Sequence, residues 1–419
     1  MLNILVVYIQ KIQIWGLRGV VNYFLRKIRH RRLRRYFLDN ASKHLCKHPL
    51  RGVTIMANFH SNLSLSKVMR DLAFSLRDAE IPFQAFDYGS PDEIFASDVD
   101  PVLTPRKEFR ILKFDHVIDM FSSPLPDELG LKRSHVVFWE FESGLLEAYP
   151  ELNSPCTVIG MSEYTVATFR KLLPARTPVR KLLYPFRFEA IGDLEPVDVI
   201  RGRYGIGKDD FVVFFNFYYG SSFFRKNPDG AMRAFAKAFP DTRNTRLVFK
   251  TTRVKEHRKE EKSLLRLAAE LGVVDRFTTV DDFIPQRDIY GLTNACDVYL
   301  SLHRGEGFGL GIAEAMSLGK PVIVTNYSST TEFCMEDNAI PIPYKMVDVH
   351  PGQLDHPCYL AVKACAEPDV DAAADALRRC YENPAFRAAL GRKAKGFIED
   401  HFSIENFKKS FETFLDSEG

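Results

Sequence analysis

The stretch from Ser301 to Pro321 reads Ser-Leu-His-Arg-Gly-Glu-Gly-Phe-Gly-Leu-Gly-Ile-Ala-Glu-Ala-Met-Ser-Leu-Gly-Lys-Pro. Its apolar start predicts a buried strand that ends at Leu302, and a helix from Leu310 to Leu318 follows. The glycines between them remove side chains where a backbone has to approach a ligand closely. Free N–H groups at the start of a helix favour an anion there. The stretch therefore predicts a strand, a phosphate-binding loop and a helix.

Two carboxylates flank this glycine loop. Glu306 lies within the loop, and Glu314 lies about one turn into the predicted helix. A carboxylate beside a phosphate site repels the phosphate, so its presence is better explained by hydrogen bonds from hydroxyl groups. A ribose and a hexose offer such hydroxyls on the two sides of a diphosphate. The alternative is that both acids only favour the amino end of the helix electrostatically.

The two segments around these glutamates resemble a known signature. Glu306-Gly-Phe-Gly and Glu314-Ala-Met-Ser-Leu-Gly-Lys-Pro, with seven residues between the glutamates, look like the motif of the retaining glycosyltransferases of family four. The likeness is specific from Asp281 to Asn338, fair from Phe211 to Lys250 and general in the N-terminal half. It implies the α/β GT-B fold, in which two doubly wound Rossmann-like domains face a cleft.

The resemblance also implies an activity. Family members move a sugar from a nucleotide-sugar donor with retention of configuration, so this chain is expected to be a retaining hexosyltransferase. Glu306 would bind hydroxyls of the donor sugar, and Glu314 would bind those of the ribose. The backbone amides expected to meet the sugar and the diphosphate belong to Gly307, Phe308, Gly309 and Leu310.

The family carries a basic pair after the first strand of its C-terminal domain, and Arg225 and Lys226 occupy that place. Two cations aimed at a developing diphosphate would stabilise the leaving group; the alternative is a solvated helix start. Lys250, at a predicted strand end, is a further candidate for binding the phosphates. Phe283 and Ile284 fall where the family holds the nucleobase largely by its backbone.

Two further residues precede the glycine loop. His303 and Arg304 either line the cleft or support the loop, and the sequence favours neither alternative.

The N-terminal half offers fewer site residues. Family members often place a histidine of this domain near the reacting sugar, and His60 and His116 are the two candidates. Many relatives have a glycine-rich loop after the first strand, whereas this chain has Asn58-Phe-His-Ser-Asn-Leu-Ser, without glycine. Trp139 and Glu140 follow a predicted strand, and an aromatic ring beside an acid suits a sugar acceptor. The alternative for this pair is a strand end with solvated acids.

Strands alternate with helices in two runs, which predicts two parallel sheets covered by helices. A chain of 419 residues, 46% hydrophobic, also favours two domains. The predicted strands are 52–57, 81–86, 114–120, 134–139, 158–161, 211–217, 246–250, 277–280, 298–302 and 321–325. The expected divisions are a basic extension (1–50), an acceptor-side domain (51–190), a sugar-nucleotide domain (191–400) and a C-terminal helix (401–419) that packs on the acceptor-side domain.

Positive charge is concentrated near the amino terminus, although the formal net charge is only +3. Nine Lys or Arg residues and no acid lie between Lys11 and Arg35. Apolar residues recur at helical spacing across 12–35, which predicts a basic amphipathic helix. Such a helix suits an anionic membrane surface; the alternative is a basic arm packed on its own domain. Nucleic acid is not expected, because no aromatic stacking platform accompanies the charges.

Seven scattered cysteines without a CxxC pair indicate reduced thiols in a cytoplasmic protein. No segment offers the ~20 apolar residues that span a bilayer.

We therefore expect a cytoplasmic enzyme, peripheral on the inner face of a membrane, that acts on a glycan or lipid-linked acceptor in cell-surface polysaccharide or lipopolysaccharide synthesis. No cofactor and no obligatory metal is expected, since Arg225 and Lys226 would supply the positive charge. The alternative is a non-catalytic GT-B scaffold or sugar-nucleotide binder at the membrane.

Overall fold

The computed structural model describes residues 28, 31–39, 51–59, 64–88, 114, 116–120, 125, 129–187, 192–252, 257–281, 284–350, 352–354 and 356–418. The chain divides into two compact units. The first unit comprises Met1–Phe138, Leu145–Phe186 and Phe402–Gly419, and the second comprises Trp139–Gly144 and Arg187–His401. The sequence places the boundary at 190/191, whereas the structure places it at Phe186/Arg187 and adds Trp139–Gly144 to the second unit.

The first unit is built on one parallel sheet with strand order β2-β1-β3-β4-β5-β6. Helices in its described part pack beside these strands. Ser162 caps one of them, its side chain accepting a hydrogen bond from the amide of Thr165. The bounds are β1 Val53–Ala57, α1 Ser64–Asp78, β2 Phe83–Asp87, β3 His116–Met120, β4 Lys132–Val136, α2 Leu145–Ala148, β5 Thr157–Gly160, α3 Glu163–Leu172 and β6 Val179–Lys181.

The second unit holds a six-stranded parallel sheet with strand order β12-β11-β10-β7-β8-β9 and a separate antiparallel hairpin of β13 and β14. The chain order reverses between β7 and β10. Ligands of such sheets bind beyond the carboxyl ends of the strands at this switch point. The bounds are α4 Val197–Arg203, β7 Phe211–Asn216, α5 Phe223–Lys226, α6 Pro228–Ala238, β8 Thr245–Thr251, α7 Arg258–Glu270, β9 Phe277–Asp281, α8 Gln286–Ala295, β10 Val298–Ser301, α9 Leu310–Ser317, β11 Val322–Thr325, β12 Ile340–Ile342, β13 Tyr344–Asp348, β14 Ala364–Pro368, α10 Val370–Glu382 and α11 Pro384–His401.

The last helix, α12 (Ile404–Ser417), belongs to the first unit. Its buried Phe414 lies 5.4 Å from the His116 ring, measured between ring centroids. The hydroxyl of Ser410 accepts a hydrogen bond of 2.9 Å from the amide of Leu183, just beyond β6. Burial of its phenylalanines explains why this helix packs back on the first sheet.

Residues 31–39 are helical and also lie in the first unit. Phe37 is buried in a core cluster with Met56, Val117 and Leu125. The arginines of this segment point away from that cluster and are exposed: Arg31, Arg32, Arg34 and Arg35. Residues 12–27, 29 and 30 of the predicted basic helix lie outside the described residues.

Candidate functional site

The glycine loop of the second unit joins β10 to α9, as its sequence predicts. Gly309 is the N-cap of α9 and has a φ of +96°, a left-handed conformation that favours glycine. A Cβ atom on Gly309 would lie 2.6 Å from Cγ2 of Thr330, and one on Gly305 would lie 2.9 Å from the carbonyl oxygen of Glu140. Close packing within the second unit therefore requires glycine at both positions, independently of any ligand that approaches the loop.

A serine turn after β11 supports the loop. The hydroxyl of Ser328 accepts a hydrogen bond of 2.9 Å from the amide of Glu306. The hydroxyl of Ser329 donates one of 2.8 Å to the carbonyl oxygen of Gly307. Ser328 has a φ of 67°, which is uncommon for a residue other than glycine. Sequence reasoning missed this turn, because Ser-Ser-Thr-Thr indicates only a polar loop.

Lys226 forms the closest ion pair of the site. Its Nζ lies 2.5 Å from Oε2 of Glu306. Both side chains are mostly buried, with 17% of Lys226 and 14% of Glu306 exposed. Burial alone would raise the pKa of Glu306, but Lys226 and then Arg225 outweigh it and lower that pKa to about 2. Glu306 is therefore a carboxylate at neutral pH, able to accept hydrogen bonds.

Arg225, the adjacent residue, serves a different purpose. Its Nη1 donates to the carbonyl oxygen of Gly305 at 2.8 Å, and its Nε donates to that of Ser221 at 3.1 Å. Only 4% of the side chain is exposed. Arg225 thus holds the backbone of the glycine loop, whereas Lys226 pairs with the carboxylate of Glu306.

Glu140 joins this cluster from a segment that the sequence assigns to the other domain. Its Oε1 lies 3.6 Å from Nη1 of Arg225, within the second unit. Burial raises the pKa of Glu140, although the positive charge of Arg225 lowers it. The hydroxyl of Tyr359 donates a hydrogen bond to this carboxylate.

Tyr359 lies in the connection between β13 and β14 and was not identified from the sequence. Its ring centroid is 5.8 Å from Cζ of Arg225. The rings of Trp139 and Phe141 lie 5.6 and 5.2 Å from it. A lone tyrosine far along the chain gave no signal, because only the tertiary fold brings residue 359 to residue 225.

Glu314 lies on α9 and is 4% exposed. Its Oε1 accepts hydrogen bonds from the hydroxyl of Tyr290, at 3.2 Å, and from Nε2 of Gln286, at 3.4 Å. Both donors belong to α8. A Cβ atom on Gly311 would lie 2.5 Å from Oδ1 of Asn216, so this glycine lets α9 pack against the carboxyl end of β7. The aromatic and amide partners of Glu314 carry no recognisable sequence signal.

His303 supports the loop, the second of the two alternatives that the sequence left open, whereas Arg304 binds the hairpin of β13 and β14. His303 is fully buried, and burial lowers its pKa to about 4, so the ring is neutral. Its Nε2 donates to the carbonyl oxygen of Tyr327 at 3.2 Å, which leaves Nδ1 to accept from Ser301. Arg304 binds both carboxylate oxygens of Glu367, at 2.6 and 3.0 Å.

The other side chains predicted at the donor site are Lys250, Phe283 and Ile284. Lys250 is buried at the carboxyl end of β8, where its Nζ donates to the carbonyl oxygen of Thr251 at 2.6 Å. Ile284 is half-buried just before α8, while Phe283 lies outside the described residues. Phosphate binding by Lys250 and nucleobase contacts by this pair stay predictions. The same holds for ligand contacts of the Gly307–Leu310 backbone.

In the N-terminal half, the structure contradicts the site roles predicted for His116 and Trp139. His116 is the first residue of β3, at the amino end of the strand, where it is buried and hydrogen-bonded to Ser134 at 2.8 Å. Ligands bind beyond the carboxyl ends of such strands, so His116 has a packing role. Trp139 is fully buried, with its Nε1 donating to the carbonyl oxygen of Ser143 at 3.2 Å, and it offers no open face to an acceptor. His60 lies outside the described residues.

Two negative findings apply to the described residues. No helix among them combines the length and apolar character needed to cross a bilayer. No group of three His, Cys, Asp or Glu side chains within the same ranges is arranged to hold a metal ion.

Residues 198–340 contain the glycine loop, Arg225, Lys226, Glu306 and Glu314, and they match the model of the family described as glycosyl transferases group 1. This part of the second unit is therefore similar to a glycosyl transferases group 1 domain. The match ends at Ile340, the first residue of β12, so it does not include Tyr359. None of the curated proteins matches the chain in sequence.

Solved glycosyltransferase structures share the fold of both units, and the chain has the predicted GT-B fold. HepE from Anabaena, in complex with UDP and glucose, is similar with a TM-score of 0.61 and 15% identity over 88% of this chain and 100% of that chain. Sucrose-phosphate synthase from Thermosynechococcus elongatus has the same TM-score, 0.61, and 15% identity over 88% and 99%. WaaG, a glycosyltransferase involved in lipopolysaccharide biosynthesis, has a TM-score of 0.56 and 16% identity over 87% and 99%.

Proposed function

We propose that the protein is a retaining glycosyltransferase that moves a hexose from a nucleotide-sugar donor to a glycan or lipid-linked acceptor. The observation that carries this proposal is the ion pair of Lys226 and Glu306 at the glycine loop, with Glu314 on the helix that follows. A cation, an anion and a helix start here occupy one end of the second sheet. This combination suits a ligand that has a diphosphate between two hydroxyl-bearing rings.

The ion pair has to change partners when the donor binds. The ammonium of Lys226 would turn to the diphosphate oxygens, and the carboxylate of Glu306 would accept hydrogen bonds from the sugar hydroxyls. In the reaction, the acceptor oxygen bonds to the anomeric carbon on the face from which the diphosphate departs, and the acceptor proton passes to the departing diphosphate. Lys226 and the amino end of α9 stabilise the charge that develops on the leaving group.

The names of the similar proteins guide the choice of donor and pathway. HepE has been solved with UDP and glucose, which supports a UDP-linked hexose as the first donor to test. WaaG acts in lipopolysaccharide biosynthesis, which supports a cell-surface glycan as the product class. Both inferences are proposals for this chain, since identities of 15% and 16% establish the fold alone.

We also propose that the protein works at an anionic membrane surface. Four arginines of the helical segment 31–39 are exposed while Phe37 anchors that segment in the core of the first unit. Basic residues near an anionic leaflet contribute roughly 1 kcal/mol each. The arrangement suits a peripheral enzyme on the inner face of a membrane with a lipid-linked acceptor.

Donor binding is the decisive test. UDP-, GDP-, ADP- and dTDP-linked sugars are compared by thermal shift on the wild type, the Glu314→Ala variant and the Glu336→Ala variant. Glu336 is exposed on the same unit and serves as the matched control. We expect one nucleotide to stabilise the wild type and the control. The Glu314→Ala variant is expected to bind about 10- to 100-fold more weakly, since a hydrogen bond to a charged group contributes roughly 1.5–3 kcal/mol. If no sugar nucleotide binds at millimolar concentration, the non-catalytic scaffold is the better interpretation.

A further inference from the structure

A second cavity borders the candidate donor site in the second unit. Its volume is about 350 Å³, near the lower end of the ~300–1,000 Å³ range of small-molecule sites. It lies at α5, the four-residue helix that also carries Arg225 and Lys226. The first two residues of this helix face the cavity, and its last two contact Glu306. The residues that line the cavity include Phe223, Phe224, Asp229, Glu260, Arg304 and Gln353.

Asp229 lines this cavity, and one of its side-chain oxygens lacks a hydrogen-bond donor among the described residues. Its Oδ1 is buried and has no hydrogen-bond partner within the part of the chain that the structure describes. Burial raises the pKa of this carboxyl group, although Arg233 and Arg304 lower it. A buried acceptor without a donor is destabilising, and native proteins rarely retain one without a reason. A ligand hydroxyl in the cavity would supply the missing donor.

The charges of the cavity select the chemistry of that ligand. Asp229 and Glu260 are acidic. Among the described residues that line the cavity, Arg304 is the only basic one, and Glu367 already neutralises it through two hydrogen bonds. A phosphate or carboxylate ligand would therefore meet net repulsion. Hydroxyl groups suit these acids, since carboxylates accept hydrogen bonds.

Aromatic rings complete the lining. Phe223 and Phe224 are half-buried, and both contribute to the wall of the cavity. A hexose presents apolar C–H groups between its hydroxyls, so an aromatic wall with acidic groups beside it matches both parts of the ring. The amide of Gln353 adds a donor, because its Oε1 already accepts from the amide of His350 at 2.8 Å.

A cavity of about 390 Å³ elsewhere in this unit provides a contrast. It lies at Phe211, the first residue of β7 and therefore at the amino end of the sheet. Its Arg201 donates to several backbone carbonyl oxygens and to Asp297. The guanidinium of Arg201 is thus hydrogen-bonded within the protein, whereas Asp229 has an oxygen that is not.

We propose that the cavity at α5 is a saccharide subsite, which binds a neutral hexose unit of the acceptor glycan through Asp229 and Glu260. This proposal rests on the proposed glycosyltransferase function, because a glycan acceptor supplies the hexose. A second sugar unit bound beside the reacting one would make the enzyme prefer an oligosaccharide acceptor over a single sugar.

The test uses the full chain without nucleotide and measures saturation-transfer NMR with D-glucose, D-galactose and D-mannose. The cavity variants are Asp229→Asn and Glu260→Gln, which keep size and remove charge. Glu306→Gln reports on the donor site, and Asp241→Asn, at an exposed position, is the matched control. We expect at least one hexose to bind the wild type and the control. Affinity should fall about 10- to 100-fold in each cavity variant and remain unchanged in Glu306→Gln.

Three results would overturn the subsite. They are the absence of any hexose signal at millimolar concentration, loss of the signal in Glu306→Gln while both cavity variants retain it, and equal loss in all variants. Thermal shift with sugar nucleotides on the same preparations separates this proposal from the donor site. If the donor binds and no hexose does, only the subsite fails. If a hexose binds through Asp229 and no donor does, the proposed transferase function fails.

Discussion

Arg225 and Lys226 are neighbours along the chain, yet their side chains have different surroundings. The guanidinium of Arg225 is tied to two backbone carbonyl oxygens and lies near Glu140. The ammonium of Lys226 has the carboxylate of Glu306 as its close partner. The structure shows which of the two cations lies closer to this carboxylate, since Oε2 of Glu306 is 2.5 Å from Nζ of Lys226 and 3.5 Å from Nη1 of Arg225.

The two cations should differ in how much they contribute to the proposed catalysis. Replacing Lys226 by Met is expected to lower kcat/KM by about 10²- to 10³-fold, because losing one group that stabilises a developing charge costs roughly 2.7–4 kcal/mol. Replacing Arg225 by Met is expected to lower the free energy of unfolding by about 3–5 kcal/mol, because it leaves the buried Glu140 without its cation. Steady-state kinetics and urea unfolding measure the two effects. Lys226→Met also breaks the ion pair with Glu306 and should lose stability as well. An unchanged kcat/KM in the folded Lys226→Met variant would contradict its assigned role.

Glu306 makes the stability of the folded protein depend on pH in the acidic range. Its pKa is lowered to about 2 in the folded protein from an ordinary value of 4.5. The ion pair therefore contributes fully above about pH 4.5, and the contribution is lost as pH falls toward 2. We expect the Glu306→Gln variant to be less stable than the wild type at pH 6 by a few kcal/mol, up to about 3, since each pKa unit corresponds to ~1.36 kcal/mol.

Denaturant unfolding between pH 6 and pH 2 checks this expectation. The gap between wild type and Glu306→Gln should close as the pH falls. A gap that stays constant over this range would show that the ion pair does not titrate as described, while Glu336→Gln, at an exposed position, should show no gap at any pH.

At the scale of elements, α9 and its glycine loop are fixed by local geometry. Gly309 starts the helix in a left-handed conformation, and Gly311 admits the side chain of Asn216 beside it. The sequence predicted this loop and helix because the glycines and the following apolar residues form one continuous pattern.

The sequence analysis missed the short edge strands β6 and β12 and the hairpin of β13 and β14. Strands of three residues, and exposed ones such as β13, do not show a clear alternation of apolar and polar residues.

Two glycines should respond to alanine with opposite signs. In Gly309→Ala, the new Cβ would lie 2.6 Å from Thr330 and the left-handed φ would be strained. We expect a loss of roughly 1–3 kcal/mol in the free energy of unfolding, together with weaker donor binding. In Gly396→Ala, within α11, no atom lies within 4 Å of the added Cβ. That variant should gain about 0.5–1 kcal/mol, because alanine loses less entropy in a helix.

Thermal or urea unfolding of both variants measures these signs. Stabilisation by Gly309→Ala would show that the loop readily adopts another conformation, and destabilisation by Gly396→Ala would show that α11 packs more closely at this position than the structure indicates.

At the scale of the whole molecule, both units share one design, a parallel sheet with helices, and the GT-B relatives share it over most of their length. The helical segment 31–39 adds a basic surface to the first unit. Phe37 fixes this segment to the core, so its arginines can be replaced without removing the anchor.

Membrane binding is tested with these arginines. Replacing Arg31, Arg32, Arg34 and Arg35 by Gln is expected to weaken binding to anionic phospholipid vesicles by about 10³-fold, at roughly 1 kcal/mol for each residue. Cosedimentation measures the binding, neutral phosphatidylcholine vesicles provide the control, and the melting temperature should hardly change. Equal binding of wild type and variant to anionic vesicles would remove the membrane surface from the proposed function.

The sequence by itself determined the class of this protein. Alternation of apolar strands with helices specified the two sheets, and the segment from Ser301 to Pro321 specified the glycine loop, since local patterns suffice for both. It also identified Glu306, Glu314, Arg225, Lys226 and Glu140 as residues to examine. Only the tertiary structure decided which side chains meet, because those contacts join residues far apart in the chain: Glu140 and Tyr359 reach Arg225, Tyr290 and Gln286 reach Glu314, and Asp229 opens on a cavity at α5.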